Sequence, residues 1–505
     1  MYFVAGELWR IFAPFVPRNV LQRRFCSSSL AAEGTIFALS SGQGRCGVAV
    51  IRVSGPDSAH ALRTLTGRTR DLLTPRVAHL CSIRHPRSHE LLDRGLVLWF
   101  PGPHSFTGED SAEFHVHGGP AVISGVLQAL GSLAGLRPAE AGEFTRRAFH
   151  AGKLDLTEVE GLGDLIHAET EAQRRQALRQ MAGDLGRLYS NWSQQLKTCL
   201  AHAEAFIDFG EDELIEDGLL NQVDSTVSQL RVEIQKHLHD NRRGEMLRSG
   251  VQLVLAGATN AGKSSLLNII CQRPAAIVSP VAGTTRDVVE THVDIGGFPV
   301  VLSDTAGLRD TEDIVEREGV RRARLTVENA DLTLVIIDSA LLPPDPHAAP
   351  DFLRDHLRNT LSADKDLAAA QNCLMVLNKS DLLTREQVSS ICRVLNQTPR
   401  LPSACFLSCL TGHGLEEFLT LLRSKVTSLC GDPLVGSPSL TQARHRTHLE
   451  KAVKALGQYQ QYREVDLALA AEGLRLGLTS LGRITGRVDP EEILDVIFRD
   501  FCIGK

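Results

Sequence analysis

The stretch that most constrains the fold is GATNAGKSS, which begins at Gly257 and directly follows the apolar run VQLVLA. It matches the pattern G-x-x-x-x-G-K-[ST], in which glycines let backbone N–H groups wrap phosphates and a lysine reaches the β- and γ-phosphate oxygens. That lysine is Lys263, and the hydroxyl of Ser264 follows it as a Mg²⁺ ligand. The apolar run before the loop and SLLNII after it predict a strand, a phosphate loop and a helix.

Two later motifs have the residue types, in the order, that a switch sensing the γ-phosphate requires. GTTRD supplies Thr285, a second hydroxyl for Mg²⁺, and DTAG supplies Asp304 for the Mg²⁺ shell and Gly307, whose N–H can meet the γ-phosphate. In Ras-like proteins the next residue is a Gln that orients the attacking water. Here it is Leu308, which has no hydrogen-bonding atom. Either hydrolysis is slow, or the catalytic groups come from elsewhere.

Two further motifs indicate a guanine base. NKSD follows an apolar run and supplies Asn378 and Asp381, and LSCLTG places Ser408–Leu410 where a backbone loop can touch the base. An ionised carboxylate only accepts hydrogen bonds, which suits the guanine N1–H and amino group and suits neither edge of adenine. With five motifs in order, we interpret the segment as a GTP site. The predicted GTP contacts are Asn260, Ala261, Gly262, Lys263, Ser264, Ser265, Ser279, Pro280, Val281, Ala282, Gly283, Thr284, Thr285, Asp304, Thr305, Ala306, Gly307, Asn378, Lys379, Asp381, Ser408, Cys409 and Leu410.

The pattern of apolar and polar residues divides the remaining sequence into several domains, as a length of 505 residues also suggests. Runs such as GVAVIRVSG and AEFHVHGG before residue 152 predict an α+β domain. Helical periodicity dominates from about residue 153 to 248 and resumes after residue 428. Between them, VQLVLAG, FPVVLSD, LTLVIID and CLMVLNK are buried-strand runs typical of a parallel, doubly wound sheet. A nucleotide-binding domain inserted into a helical domain is the simplest arrangement.

Composition limits the environment of the chain. The net charge of −6 gives no overall attraction to nucleic acid, so an RNA-binding surface must be a local basic patch. The 11 cysteines lack zinc-site or secreted-disulfide spacing, which favours reduced intracellular thiols. No run reaches the ~18 apolar residues of a membrane span, so we expect no membrane insertion. Residues 1–30 are rich in Arg and Ser and poor in acids, which predicts a mitochondrial transit peptide and a matrix location; a disordered tail is the alternative.

The motifs together resemble one family. SPVAGTTRD, DTAGLRD, Asn260 in the phosphate loop, GRCGVAVIRVSG, LWFPGPHSFTGEDSAEFHVHGGP, GKLDLTEVEGL and the terminal FCIGK are similar to the MnmE/TrmE family of tRNA-modification GTPases, and with the leader to its mitochondrial branch. The resemblance implies an α+β N-terminal tetrahydrofolate-binding domain, an α-helical domain and an inserted Ras-like α/β P-loop G domain. The corresponding ranges are 31–152 for folate binding and dimerisation, 153–248 and 428–505 for the helical domain with its FCIGK tail, and 249–427 for the G domain.

For hydrolysis, the resemblance implies a K⁺-activated GTPase whose G domains dimerise. The K⁺ ligands would be Asn260, Ser279, Val281 and Thr284, and the cation would take the place of an arginine finger. The acid that orients water would be Glu316, although a Glu in a charged run is otherwise a solvated surface group. Two departures concern the family pattern: Thr259 replaces a Pro before the loop Asn, and SCL replaces a more usual SA[KR] at the base.

For the N-terminal domain, the resemblance implies a bound one-carbon folate, either 5,10-methylene- or 5-formyl-tetrahydrofolate. The contacts would be Arg52, Glu113, Lys153 and Lys505, because carboxylates suit the pterin edge and cations suit the glutamate tail. From the sequence alone each of these reads as a surface charge. Cys502 is open between a catalytic nucleophile and a structural residue. The pair HVH has no clear third ligand and does not predict a metal site.

The function that the resemblance implies is the GTP-hydrolysing subunit of a mitochondrial enzyme that modifies C5 of the tRNA wobble uridine, U34. It would act as a homodimer with a GidA/MnmG-type FAD protein on mitochondrial tRNA and form a 5-taurinomethyl or 5-carboxymethylaminomethyl group. FAD would belong to the partner, because no G-x-G-x-x-G follows a strand here. Two rivals stay open: a regulatory GTPase acting on a ribosome or protein partner without modification chemistry, and a folate enzyme that uses GTP only for assembly.

Overall fold

The described residues of the chain form two compact units. The computed structural model describes residues 34–67, 74–209, 218–240, 242–258, 260–271, 290–303, 330–361, 372–399, 401–435 and 438–488, with residues 494, 497, 498, 501, 503 and 504. The first unit runs to Arg147 and includes the chain end after Phe501, and the second spans Ala148–Phe501.

The first unit is a six-stranded sheet with two helices packed on one face and a third helix on part of the other. Its elements are β1 (Thr35–Leu39), β2 (Cys46–Ser54), α1 (Ser58–Thr66), β3 (His79–Arg84), β4 (Leu91–Phe100), β5 (Ser111–Gly118), α2 (Pro120–Gly131), β6 (Leu136–Pro138) and α3 (Glu143–His150). The strand order is β3-β4-β5-β2-β1-β6; β1 and β6 are parallel, and the other neighbours are antiparallel. Strand alternation buries Ile51 and Val53 under α1 and α2, so Arg52 between them points to the other face. The predicted α+β class is confirmed.

The second unit contains a helical part and a second sheet. Its helices are α4 (Leu156–His167), α5 (Glu171–Met181), α6 (Asp184–Phe209), α7 (Gly218–Leu238), α8 (Arg243–Ser249), α9 (Lys263–Cys271), α10 (Ala349–Leu361), α11 (Arg385–Gln397), α12 (Leu415–Cys430), α13 (Ala443–Tyr462) and α14 (Leu467–Thr485). Its strands are β7 (Val251–Ala256), β8 (Glu290–Ile295), β9 (Phe298–Ser303), β10 (Leu332–Asp338), β11 (Cys373–Asn378) and β12 (Ser403–Phe406).

The helical part is built from helices that precede and follow the strands of the second sheet in the sequence. Leu185 and Tyr189 of α6 share one buried core with Leu449 of α13 and Leu474 of α14. The helical periodicity that was predicted before and after the sheet segment therefore corresponds to helices with buried faces. Local sequence fixes where α4 and α5 begin, since each opens with a capping box in which the N-cap side chain and a residue three positions later bond each other's backbone N–H.

The second sheet is buried on both faces. Its order is β12-β11-β10-β7-β9-β8, parallel throughout except for the antiparallel edge strand β8. In β10, Leu334 and Ile336 face the core that α9 and α12 cover, whereas Val335 and Ile337 face the core that α10 and α11 cover. All four predicted strand runs are present, and two-sided burial explains why they are continuously apolar. The layout is multidomain, as predicted.

We predict that Gly161→Ala destabilises the second unit by about 1–3 kcal/mol, because a Cβ there would overpack the crossing of α4 and α5. The added atom would lie 2.6 Å from the backbone nitrogen of Met181. Chemical denaturation followed by circular dichroism measures the change. The matched control is Gly457→Ala in α13, where the nearest atom outside the helix to an added Cβ is Arg231 Cζ at 3.6 Å. That variant should be neutral or more stable, and an equal loss in both would contradict the packing argument.

Candidate nucleotide site and N-terminal polar cluster

The phosphate loop joins the end of β7 to the start of α9 in a conformation that demands glycine. Gly257 has φ +146°, and a Cβ there would lie 2.3 Å from the carbonyl oxygen of Ile336. Gly262 has φ +103°, and a Cβ there would lie 2.0 Å from Asn378 Nδ2. Asn260 between them has φ +64°, which Asn tolerates better than most residues. The loop can therefore bring its backbone close to a phosphate.

The chemical groups of this loop lie at the first turn of α9. Lys263 Nζ donates to the carbonyl oxygens of Gly257 at 2.8 Å and Ala258 at 2.9 Å, so the lysine is folded across the loop. The side chains of Ser264 and Ser265 begin α9 and are exposed. An exposed hydroxyl at a helix N-terminus offers the hard oxygen that Mg²⁺ prefers, next to N–H groups that attract phosphate.

Asn378 connects the phosphate loop to the loop predicted to contact the base. It lies at the end of β11 and is 2% exposed. Its Nδ2 donates to the carbonyl oxygen of Ala261 at 2.8 Å, and its Oδ1 accepts from the Cys409 backbone N–H at 3.1 Å. Both ends of the amide are therefore used, and a single buried side chain fixes the spacing of the two loops.

The carboxylate predicted to recognise guanine lies in the same cluster. Asp381 Oδ1 accepts from Ser408 Oγ at 2.5 Å, and the Ser408 hydroxyl also accepts from the Thr411 N–H at 3.1 Å. Leu410 is 86% exposed, so its side chain adds no packing to the protein interior here. The orientation of Asp381 is thus set by the SCL loop through Ser408.

Lys379, a predicted nucleotide contact, binds a carboxylate of the neighbouring strand. Its backbone is left-handed, with φ 60°, and its Nζ donates to Asp338 Oδ2 at 2.6 Å, at the end of the neighbouring strand β10. Burial raises the pKa of Asp338, but the hydrogen bonds from Lys379 and the Ala340 N–H outweigh it, so the pKa is lower than usual. The lysine therefore ties β10 to the base-binding end of the sheet.

The predicted switch and cation residues lie outside the described residues. They are Ser279, Pro280, Val281, Ala282, Gly283, Thr284, Thr285, Asp304, Thr305, Ala306, Gly307 and Glu316. Of the predicted K⁺ ligands, Asn260 alone is described, and Thr259 beside it also lies outside. Cys502 and Lys505 are likewise outside, whereas Lys153 lies in the second unit. These assignments stay predictions.

In the first unit, Arg52 and Glu113 face each other across β2 and β5. Arg52 Nη2 lies 2.9 Å from Glu113 Oε1, and His115 Nε2 lies 3.1 Å from Glu113 Oε2. The Arg52 guanidinium also lies 5.5 Å from the ring centroid of Phe106 and 5.8 Å from that of Phe144. This N-terminal polar cluster combines a carboxylate, a cation and an accessible aromatic ring, since Phe106 is 37% exposed.

Neighbouring groups keep the Glu113 carboxylate ionised. Burial raises the pKa of Glu113, but hydrogen bonds and charge from His115 and Arg52 outweigh that effect, so its pKa lies below the usual value. The carboxylate is therefore charged at neutral pH. The sequence-based prediction did not include His115 or Phe106. The alternation in AEFHVHGG places His115 on the same face as Glu113 and gives a usable signal, whereas Phe106 comes from a loop without one.

The chain end belongs to the first unit. Ile503 forms an antiparallel bridge with Ala141, and the carbonyl oxygen of Gly504 accepts from Ser40 Oγ at 2.9 Å. Ser40 directly follows β1, whose Ala38 pairs with Arg52 in β2. The tail is thus attached one strand away from the N-terminal polar cluster. A link between residues 464 positions apart leaves no periodic signal in sequence.

The described residues also bear on two other possibilities, a metal site and a membrane span. Within these ranges, no group of three or more His, Cys, Asp or Glu side chains is placed to hold a metal ion. His117 of the HVH pair instead contacts Asp93, with 2.8 Å between Nδ1 and Oδ1. Across the same ranges, no helix combines the length and hydrophobicity needed to cross a bilayer.

Comparison with known proteins gives matches along the whole chain. Residues 35–153 match the family model "GTP-binding protein TrmE N-terminus", and residues 156–502 match the model "MnmE helical domain". The chain is 69% identical over 506 residues to the Danio rerio protein named "5-taurinomethyluridine-[tRNA] synthase subunit GTPB3, mitochondrial", covering 100% of both chains. It is 56% identical to the Homo sapiens protein of that name, covering 99% of each. It is 49% identical to the Parvibaculum lavamentivorans "tRNA modification GTPase MnmE", covering 93% of this chain and 100% of that one.

These matches define the class of the protein. The chain belongs to the MnmE/TrmE family of tRNA-modification GTPases. Its end-to-end similarity to relatives named mitochondrial makes it a mitochondrial member of that family.

We predict that Glu113→Gln lowers the free energy of unfolding of the first unit by about 1–3 kcal/mol at pH 7, because Arg52 loses its charged partner. Folding lowers the pKa of Glu113, so the contribution of this carboxylate to the free energy of unfolding is complete above the pKa of the unfolded chain, near 4.5. This contribution is lost as the pH falls through the lower pKa of the folded state. The gap between variant and native protein in urea denaturation should therefore narrow below pH 4.5. The control is Glu90→Gln, at an exposed position, which should change little at any pH.

Proposed function

We propose that this chain is the GTP-hydrolysing subunit of a mitochondrial enzyme that modifies C5 of the wobble uridine of tRNA. The observation that carries the proposal is the full-length identity of 69% to a protein named as a 5-taurinomethyluridine-tRNA synthase subunit. The organisation of the described loops supports it, since Asn378 holds a phosphate loop and a guanine-type loop in register. The product would carry a 5-taurinomethyl or 5-carboxymethylaminomethyl group on U34.

For the nucleotide, the chain's own groups suit GTP with Mg²⁺ and K⁺. The exposed Ser264 hydroxyl fits a Mg²⁺ ligand, with Thr285 as the second, and the left-handed Asn260 leaves its amide oxygen available to a monovalent cation. When bound, the two cations neutralise charge that develops on the phosphates. Lys263 would leave the Gly257 carbonyl for the β- and γ-phosphate oxygens. Glu316 would orient the attacking water, which compensates for Leu308.

For the one-carbon donor, the N-terminal polar cluster fits a reduced folate. Glu113 can accept from the amino-pyrimidine edge, Arg52 can pair with a carboxylate of the glutamate tail, and the exposed ring of Phe106 offers a stacking face. The donor would be 5,10-methylene- or 5-formyl-tetrahydrofolate. We assign Lys153 and Lys505 as further contacts by family resemblance, and we leave Cys502 open between nucleophile and structural residue.

A homodimer is supported by the sheet of the first unit. Leu80 and Leu96 are paired directly across β3 and β4, and they are 68% and 43% exposed. They lie on the face that carries Arg52 and Glu113, opposite α1 and α2, where an apolar pair facing water is costly. We assign this face to a second copy of the chain. The remaining partners would be a GidA/MnmG-type protein that holds FAD, and mitochondrial tRNA.

The proposed domain division follows the same organisation. Residues 31–152 form the folate-binding and dimerisation domain, residues 153–248 and 428–505 the helical domain, and residues 249–427 the G domain. The shared core of α6, α13 and α14 supports a helical domain continued after the G domain. The chain end, although its range is assigned to the helical domain, attaches to the first unit. Residues 1–30 would be the transit peptide.

We predict that purified protein hydrolyses GTP at least tenfold faster in KCl than in matched NaCl, and that Glu316→Ala abolishes this turnover. In a reaction with the FAD partner, methylene-tetrahydrofolate, taurine and unmodified tRNA, Glu316→Ala should also stop formation of the modified uridine, read by mass spectrometry of nucleosides. The native protein in the same reaction is the control. Equal, slow turnover in both salts, together with no modified uridine from the native protein, would favour a regulatory GTPase. Normal modification by Glu316→Ala would instead favour GTP used only for assembly.

A further inference from the structure

The helical part and the G-domain sheet meet beside a large cavity. The cavity has a volume of about 990 Å³ and lies among α4, α5, α8, β8 and the start of α13. Protein interiors are otherwise close-packed, with few voids larger than a water molecule. The cavity is open to solvent, so this part of the junction is not filled by side chains, although Ala172 of α5 and Leu247 of α8 are buried in the core of the second sheet.

One ion pair at the wall of this cavity joins α4 to α8, the last helix before β7, and a second pair, Glu245 with Arg446 of α13, also joins α8 to the helical part. Arg248 Nε of α8 lies 2.7 Å from Asp164 Oδ1 of α4, and the two side chains are 45% and 15% exposed. The carbonyl oxygen of Arg248 accepts from Gln173 Nε2 of α5 at 3.0 Å. Arg248 is therefore held by the helical part through both its side chain and its backbone.

Arg248 is connected to the phosphate loop along the chain, from the opposite end of β7. Its neighbour Leu247 is buried in the core of the second sheet, and α8 passes through Gly250 into β7, which leads to the phosphate loop. A displacement of α8 thus moves the strand that leads to Gly257. His292, which also lines the cavity, belongs to β8, the strand that follows the segment containing Thr285. The cavity is therefore lined by the helix that leads into β7 and by the strand that follows the predicted switch segment.

A second contact provides a pivot. The N–H of Ala172 in α5 donates to the carbonyl oxygen of Gly297, in the turn between β8 and β9, at 2.9 Å. The Ala172 side chain is itself buried in the core of the second sheet. This contact consists of one backbone hydrogen bond and one small side chain, so it constrains the relative orientation of the two parts less than the ion pair does.

Burial makes this ion pair a weak source of stability. Burial raises the pKa of Asp164 and the charge of Arg248 lowers it, but the pKa remains above the usual value. The guanidinium therefore only partly offsets the desolvation of the carboxylate, and such a pair fixes geometry more than it adds stability. A contact of this kind can be exchanged for solvent when a stronger interaction at the phosphates favours another orientation.

We propose that Asp164 and Arg248 are positioning residues that couple the nucleotide state of the G domain to the helical domain. The ion pair holds α8, and hence β7 and the phosphate loop, in one orientation relative to α4. Its opening and closing transmits GTP hydrolysis to the part of the protein that performs modification. This inference rests on the proposed function. It assigns neither residue a contact with GTP, folate or tRNA.

The test compares modification per GTP hydrolysed in Arg248→Ala, Asp164→Asn and the double variant, in the complete reaction with the FAD partner. Each single variant should keep K⁺-stimulated GTP turnover within about twofold of the native protein and lose at least tenfold in modified uridine per GTP. The double variant should lose no more than the singles, because both remove the same interaction. Arg248→Lys, which keeps the charge, should recover part of the loss.

The control is Arg354→Ala, which removes an Arg–Asp pair of similar length, 2.6 Å, within α10 of the same sheet domain. It should leave modification per GTP unchanged. The proposal is overturned if the ratio of modification to GTP turnover stays native in the single variants, if the double variant loses the product of both effects, or if Arg354→Ala loses as much. Failure of the proposed function is distinguishable, because the native protein would then form no modified uridine.

Discussion

The arrangement of the nucleotide site depends on the two hydrogen bonds of Asn378. This buried amide joins the phosphate loop, through Ala261, to the base loop, through Cys409, although the partners are 117 and 31 positions away in sequence. It also explains the glycine at position 262, since any side chain there would occupy the place of the Asn378 amide. Recognition of phosphate and of base is therefore one rigid unit, which the parallel strands β7 and β11 carry at the same edge of the sheet.

The two units make different use of charge. In the G-domain sheet, the polar groups occur where strands end, and Lys379 and Asp338 fasten adjacent strand ends. In the first unit, Arg52 and Glu113 occur within strands, on the face of the sheet opposite α1 and α2, where the ring of Phe144 lies against Arg52. The contacts between the helical part and the G-domain side include Asp164 with Arg248, Glu245 with Arg446 and Ala172 with Gly297. Under the proposed coupling, these contacts would carry a change at the nucleotide site to the helical part.

Much of this fold could be predicted from the sequence because its signals are local. VQLVLAG and LTLVIID are apolar throughout, since both faces of their sheet are buried, and the glycines at positions 257 and 262 mark a backbone that other residues cannot adopt. The capping boxes that begin at Asp155 and Thr170 similarly mark the first residues of α4 and α5.

The rest could not be predicted because it depends on long-range placement. Asp164 and Arg248 are ordinary charged residues of two helices, and only the packing of α8 against α4 brings them together. Phe106 reaches Arg52 from a loop, and Gly504 reaches Ser40 from the far end of the chain. The edge strand β8, with the sequence ETHVDI, was absent from the predicted strands because its apolar residues are interrupted by polar ones. The family resemblance supplied the assignments at positions 279–285 and at Glu316, which local physics alone does not distinguish from loop residues.

The most direct test of the central role of Asn378 is GTP affinity in Asn378→Asp, measured by titration calorimetry beside the native protein. Aspartate keeps the acceptor for the Cys409 N–H but places a carboxylate against the Ala261 carbonyl oxygen, where a donor is needed. A buried group left without its partner costs about 1–3 kcal/mol, and more when charged. We therefore expect GTP affinity to fall by roughly tenfold to several hundredfold. GTP affinity equal to that of the native protein would show that the two loops are held in register by something other than Asn378.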